Sequence, residues 1–83
     1  MTDAQIKAAV LAALASVAPE VEEIAFDPAQ SIRDQLDIDS MDFLNFMVAL
    51  SQTLGVEVPE QDYAEVASLD GCVRYLARKL AGP

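Results

Sequence analysis

The sequence predicts an all-α fold: a small bundle of three main helices plus one short helix, with a long loop between the first and second helices. Three observations predict it. Apolar residues recur at helical spacing over 3–17, 40–54 and 69–80, and no stretch alternates in the manner of a strand. Pro19, Pro28, Gly55 and Pro59 punctuate those stretches. The chain has 83 residues, 53% of them hydrophobic, which suits one modest core and hence a single domain over 1–83. No repeat, low-complexity tract or interdomain linker divides it.

In the first helix Ile6, Val10, Ala13, Leu14 and Val17 form the apolar face, and the intervening alanines favour helix. Thr2 and Gln5 have the spacing of a capping box, Met1 is placed to staple against Ile6, and Pro19 ends the helix. Between 19 and 39 the acids Glu20, Glu22, Glu23 and Asp27 suit a solvated loop. Val21, Ile24, Phe26, Ile32, Leu36 and Ile38 are too apolar for a free linker. The spacing therefore predicts a loop packed over the core, with one helical turn around 29–35.

The second helix begins near Ser40 and stops at Gly55. On its wheel Phe43, Phe46, Met47, Leu50 and Leu54 share one sector and form a core stripe, with Asp42, Asn45, Ala49, Gln52 and Thr53 roughly opposite. Met41, Leu44 and Val48 make a second apolar strip. Either the loop covers it, or it is a docking surface for a partner or a tethered apolar cargo. Pro59 opens a short helical turn over 60–65. Ser68 and Gly71 bracket the start of the last helix, where Leu69, Cys72 or Val73, Leu76 and Leu80 recur. Arg74, Arg78 and Lys79 lie towards its C-terminus, where the dipole favours cations, and 81–83 frays.

Composition excludes several chemistries. Fourteen acids against 5 bases give a net charge of −9, which repels nucleic acid and anionic lipid surfaces. There is no His and a single Cys, so a Ser–His or Cys–His pair, a disulfide within the chain and a His or Cys zinc site are all ruled out. Cys72 and Tyr75 read as core or packing residues, Tyr63 and Tyr75 with a wet hydroxyl. The longest apolar run, 8–15, is too short to cross a membrane, and no secretory leader pattern opens the chain. The expectation is a cytoplasmic, monomeric protein without membrane insertion and without catalytic residues.

The most informative segment runs from Leu36 to Leu44, with Ser40 at the first position of a helix behind a long loop. Ser40 or Asp39 can serve there as an N-cap. A phosphate ester on Ser40 is the sharper reading, because a helix N-terminus offers free N–H groups and the positive dipole end. The two roles coexist if Asp39 caps while Ser40 points outward. Asp34, Asp37, Asp39 and Asp42 crowd this region, yet an EF-hand loop from Asp37 would put Met41 at the fifth ligand position, Asp42 in place of Gly and Val48 in place of the bidentate Glu. No dedicated metal site follows, only weak Mg²⁺ or Ca²⁺ association where acids converge.

Asp39-Ser40-Met41-Asp42 resembles the D-S-[LM]-D signature of acyl carrier proteins, in which the serine bears 4′-phosphopantetheine. Val58-Pro59-Glu60 and Ser68-Leu69-Asp70 with Tyr75-Leu76 resemble the family's later helices, so the likeness covers nearly the whole chain. It implies that a holo-carrier synthase (phosphopantetheinyl transferase), with Mg²⁺ bound by that enzyme, transfers phosphopantetheine from coenzyme A to Ser40. It implies further that acyl-loading and acyl-processing enzymes act on thioesters held by the arm, and that the chain is a carrier, not an enzyme. Ser40 would be the attachment site; Asp39, Met41, Asp42, Leu44 and Val48 would be read by partners.

The sequence departs from fatty-acid carriers after Asp42. Positions where those carriers have glutamates hold Asn45, Ser51, Gln52 and Thr53. That favours specialised lipid or polyketide synthesis over housekeeping fatty-acid synthesis. An aminoacyl or peptidyl carrier is an alternative, although Asp37-Ile38 stands where peptidyl carriers have Gly-Gly. An unmodified helical protein-interaction module is another.

Overall fold

The structure, a computed structural model, describes residues 1–81, so the expected fraying at Gly82 and Pro83 lies outside the described residues. In chain order come α1 (Asp3–Val17), a 3₁₀ turn (Pro19–Glu22), α2 (Ile32–Leu36), α3 (Ser40–Leu54), a 3₁₀ helix (Glu60–Val66) and α4 (Leu69–Leu80). The expected second helix is thus α3, the expected short helix is Glu60–Val66, and the expected last helix is α4. Among the described residues there are no strands; the one β-bridge is an isolated contact between Ser31 and Ser68.

Local chemistry explains the ends. Thr2 and Gln5 form the full capping box: the Gln5 N–H donates to Thr2 Oγ1 (3.1 Å) and the Thr2 N–H to Gln5 Oε1 (2.8 Å). Met1 stays exposed, which denies the expected staple against Ile6 its buried contact. At the other end of α3, Gly55 takes φ 66° and caps the helix, its N–H donating to the Ser51 carbonyl at 2.9 Å.

α1 packs against both α3 and α4. Ile6, Val10 and Leu14 of α1 meet a core that includes Phe46 and Leu50 of α3 and Leu69, Cys72 and Leu76 of α4, all essentially sealed from solvent. Each such side chain contributes roughly 1.5–3 kcal/mol through the water it sheds. The loop between α1 and α3 packs over this core as expected through Val21, Ile32, Leu36 and Ile38. Ile24 departs from that expectation and is 41% exposed, with Phe26 half-buried two residues on.

The helical turn in the loop falls at Ile32–Leu36, starting later than the expected 29–35 but overlapping it. The reason is a side-chain tie across eight residues. Gln35 ties back to the preceding segment: its Nε2 donates to the Asp27 carbonyl (2.8 Å) and its Oε1 accepts from the Asp27 N–H (2.7 Å). That brace holds 27–30 as turns, and Ser31 starts the helix as its cap. The loop is also tied to the start of α4. The Ile32 N–H donates to the Ala67 carbonyl (2.8 Å), and the Asp70 N–H to the Pro28 carbonyl (3.0 Å). These two bonds hold the start of α2 against the junction between the Glu60–Val66 helix and α4.

Candidate functional site

The site begins where α2 ends. Asp37 takes the left-handed conformation at φ 51°, which turns the chain sharply out of α2 and into the start of α3. Ile38 is buried and anchors this link from below. Asp39 then adopts extended backbone and caps α3, its Oδ1 accepting from the Asp42 N–H at 2.9 Å. Of the two candidate caps it is therefore Asp39 that fills the role. Ser40 is the first residue of α3, exposed, with its hydroxyl free of the capping work.

The second apolar strip lies open. Met41 is 63% exposed, Leu44 42% and Val48 46%, while Phe43, Phe46, Met47 and Leu50 are buried as the core stripe. The loop does not cover it. Asp42, in the first turn, is half-buried and is the sole charge on α3.

Beside Ser40 runs a groove of about 380 Å³, bounded by Arg33, Met41, Phe43, Leu44, Glu60 and Tyr63. Phe43 and Tyr63 meet edge to face there, with ring centroids 5.7 Å apart. In sequence Tyr63 reads only as a packing residue, and nothing local sets Arg33 or Glu60 apart as neighbours of Ser40. Their gathering around the groove at Ser40 follows from the ties of the 28–32 segment to Ala67 and Asp70, contacts distant in sequence that no local spacing announces.

Other titratable groups lie apart from this site. Burial pushes the Cys72 thiol up to about 12, and its Sγ–H donates to the Val66 carbonyl (3.2 Å), so it is an inert core residue. Tyr75 is buried rather than wet: its hydroxyl donates to Asp62 Oδ2 at 2.6 Å. Burial, then that hydrogen bond and the Asp62 and Glu65 charges, push its pKa to about 12 against a smaller opposing effect of Arg78. Arg78 pairs with Glu65, and both Arg78 and Lys79 stand over the Tyr75 ring. Among the described residues no three His, Cys, Asp or Glu side chains gather as a metal site. The expected weak Mg²⁺ or Ca²⁺ association thus finds no converging cluster to rest on.

This geometry fits a covalently attached phosphodiester arm. The serine hydroxyl is accessible and unneeded for capping, the helix N-terminus favours an anion, and an open groove adjoins it. No helix among the described residues is long and apolar enough to cross a membrane.

A family model for the phosphopantetheine attachment site matches residues 8–76. The acyl carrier protein of Acidothermus cellulolyticus is 30% identical over 74 residues, 86% of this chain and 88% of that relative. The acyl carrier protein of Rubrobacter xylanophilus is 27% identical over 56 residues, 68% of this chain and 69% of its own length. The meromycolate extension acyl carrier protein of Mycolicibacterium aurum is 31% identical over 72 residues, 83% of this chain and 74% of that relative. No solved structure matches the chain significantly. With the family match running from α1 into α4, this chain belongs to the acyl carrier protein family, and its cofactor is 4′-phosphopantetheine.

Proposed function

We propose that Ser40 bears the phosphopantetheine arm and that the chain, one carrier domain over 1–83, serves specialised lipid or polyketide synthesis rather than housekeeping fatty-acid synthesis. The observation that carries the first half is the division of labour at the start of α3, where Asp39 caps and Ser40 is exposed at the first position. The bound arm supplies a thiol on which acyl groups travel as thioesters. The chain's own residues only present and steady it. Within a holo-carrier synthase Ser40 Oγ loses its proton and bonds to the phosphorus next to the pantetheine, breaking the pyrophosphate of coenzyme A with adenosine 3′,5′-bisphosphate as the leaving group. The N–H groups and dipole of α3 favour the negative charge placed there, and Asp39 keeps that helix end wound. No residue of the chain performs catalysis in this reading; acyl-loading and acyl-processing enzymes do, acting on a cytoplasmic, monomeric carrier.

The open strip of Met41, Leu44 and Val48, on a helix charged only at Asp42, supports the specialised reading. Rim charges mainly set association rate, whereas apolar anchors set affinity, so partners would read Met41, Leu44 and Val48 more than Asp39 or Asp42. Relatives named for meromycolate extension accord with a lipid role. The test is turnover by a generic fatty-acid ketosynthase at low salt and matched carrier concentration. It should use the holo form of this chain several-fold more slowly than a carrier with glutamates along the same helix. Equal use of the two carriers would make this an ordinary fatty-acid carrier and overturn the specialised reading.

A further inference from the structure

Arg33 occupies an unusual position for charge. It is the only base between Lys7 and Arg74, and it sits one helix away from a serine flanked by Asp37, Asp39 and Asp42. It borders the 380 Å³ groove that contains Ser40, and a second groove of about 230 Å³ shared with Phe43, Tyr63 and Ala67. Despite these acids it has no carboxylate partner: among the described residues the one ion pair is Arg78 with Glu65. Asp39 is committed to capping α3, and Glu60 lines the same groove without pairing to Arg33.

We infer that Arg33 is the counter-charge for the phosphodiester joined to Ser40, holding the root of the arm along the groove between α2 and the Glu60–Val66 helix. The inference rests on Ser40 as the attachment residue. A phosphodiester on Ser40 places one permanent negative charge in a neighbourhood that is otherwise acidic. Asp37, Asp39, Asp42 and Glu60 all repel it, and Arg33 is the single nearby side chain that attracts it. A guanidinium suits the task because its planar fork can donate to two phosphate oxygens at once. The pair is exposed, so it biases the arm instead of locking it, by about two- to five-fold in population, and salt weakens it. Arg33 is thus a positioning residue that favours the folded-back arm until a partner enzyme draws it out.

The test uses wild-type apo and holo protein and the holo Arg33→Gln and Arg33→Lys variants. Intact mass and peptide mapping first establish loading at Ser40; loading elsewhere, or none, defeats the attachment reading and not the pairing alone. Of the three arginine side-chain Nε–H resonances in wild type, Arg33's should shift on loading at low salt, and the shift should collapse at high salt. The ³¹P resonance of holo Arg33→Gln should move towards that of the urea-unfolded holo protein, with Arg33→Lys between. A protein loaded at Ser40 whose Arg33 resonance is unchanged overturns the pairing, as does a ³¹P resonance indifferent to Arg33→Gln. A shift that appears only when the arm carries a carboxylated acyl group also overturns it, by assigning Arg33 to the cargo. If Arg33→Gln fails to fold, the wild-type arginine resonance decides alone.

Discussion

Gly71 is the third residue of α4 and is buried against the end of the preceding 3₁₀ helix. A Cβ there would run into the Glu65 carbonyl oxygen and stand 3.1 Å from Ser68 Oγ. The carbonyl belongs to the backbone, so Gly71→Ala forces the Glu60–Val66 helix away from α4. Overpacking of this kind costs about 1–3 kcal/mol. The Gly71 N–H also donates to Ser68 Oγ (3.0 Å), and disturbing that cap adds about 0.5–2 kcal/mol. Against this, alanine's helix preference over glycine returns at most about 1 kcal/mol. The expected net loss is roughly 1–3 kcal/mol, at about 4–8 °C of Tm per kcal/mol for a domain of this size. Calorimetry and urea unfolding read it. Gly55→Ala is the contrast: at φ 66° with nothing within 4 Å, it suffers only the left-handed backbone cost of about 1–2 kcal/mol. A Gly71→Ala protein as stable as wild type, or more so, would refute the close-approach argument.

Leu44→Ala and Val48→Ala should each lower turnover with a cognate enzyme more than Asp42→Ala does, with little change in Tm because both side chains are about half exposed; a larger effect of Asp42→Ala would return recognition to charge. Alkaline stability follows from Cys72 and Tyr75, which hold their protons to about pH 12 when folded but give them up from their ordinary values of 9.0 and 10.0 when unfolded. The unfolded state then binds fewer protons in that window, so stability, fully present below pH 9, falls as pH rises towards 12. Urea midpoints against pH should fall less steeply between pH 9 and 12 for Cys72→Ala than for wild type, and parallel curves would contradict the assignment.

What the sequence disclosed follows the range of the interactions involved. The capping box at Thr2 and Gln5, the Gly55 stop and the cap before Ser40 are set within four residues, so spacing alone reveals them. The α3 core stripe is equally local, since one wheel holds Phe43, Phe46, Met47 and Leu50. The helical turn at Ile32–Leu36 was displaced from 29–35 because Gln35 reaches back eight residues to Asp27. Tyr75 gave no sign of its partner Asp62, thirteen residues earlier, nor Gly71 of the carbonyl it abuts. Whether Met41, Leu44 and Val48 lie open depends on where a twenty-residue loop comes to rest, which periodicity cannot encode. The place of Ser40 at the start of α3, behind the Asp39 cap, was legible because its cue, an acid before it and a helix after it, sits within a short run of residues.

The central claim is that Ser40 alone carries the arm while Asp39 alone caps α3. The most direct measurement is intact mass and peptide mapping after incubation with coenzyme A and a promiscuous holo-carrier synthase, for wild type and Ser40→Ala. Wild type should gain one phosphopantetheine, mapped to the peptide containing Ser40. Ser40→Ala should gain none while keeping its helical circular dichroism, because the Asp39 cap is untouched. Labelling that persists in Ser40→Ala, or maps to Ser31, Ser51 or Ser68, would contradict the account.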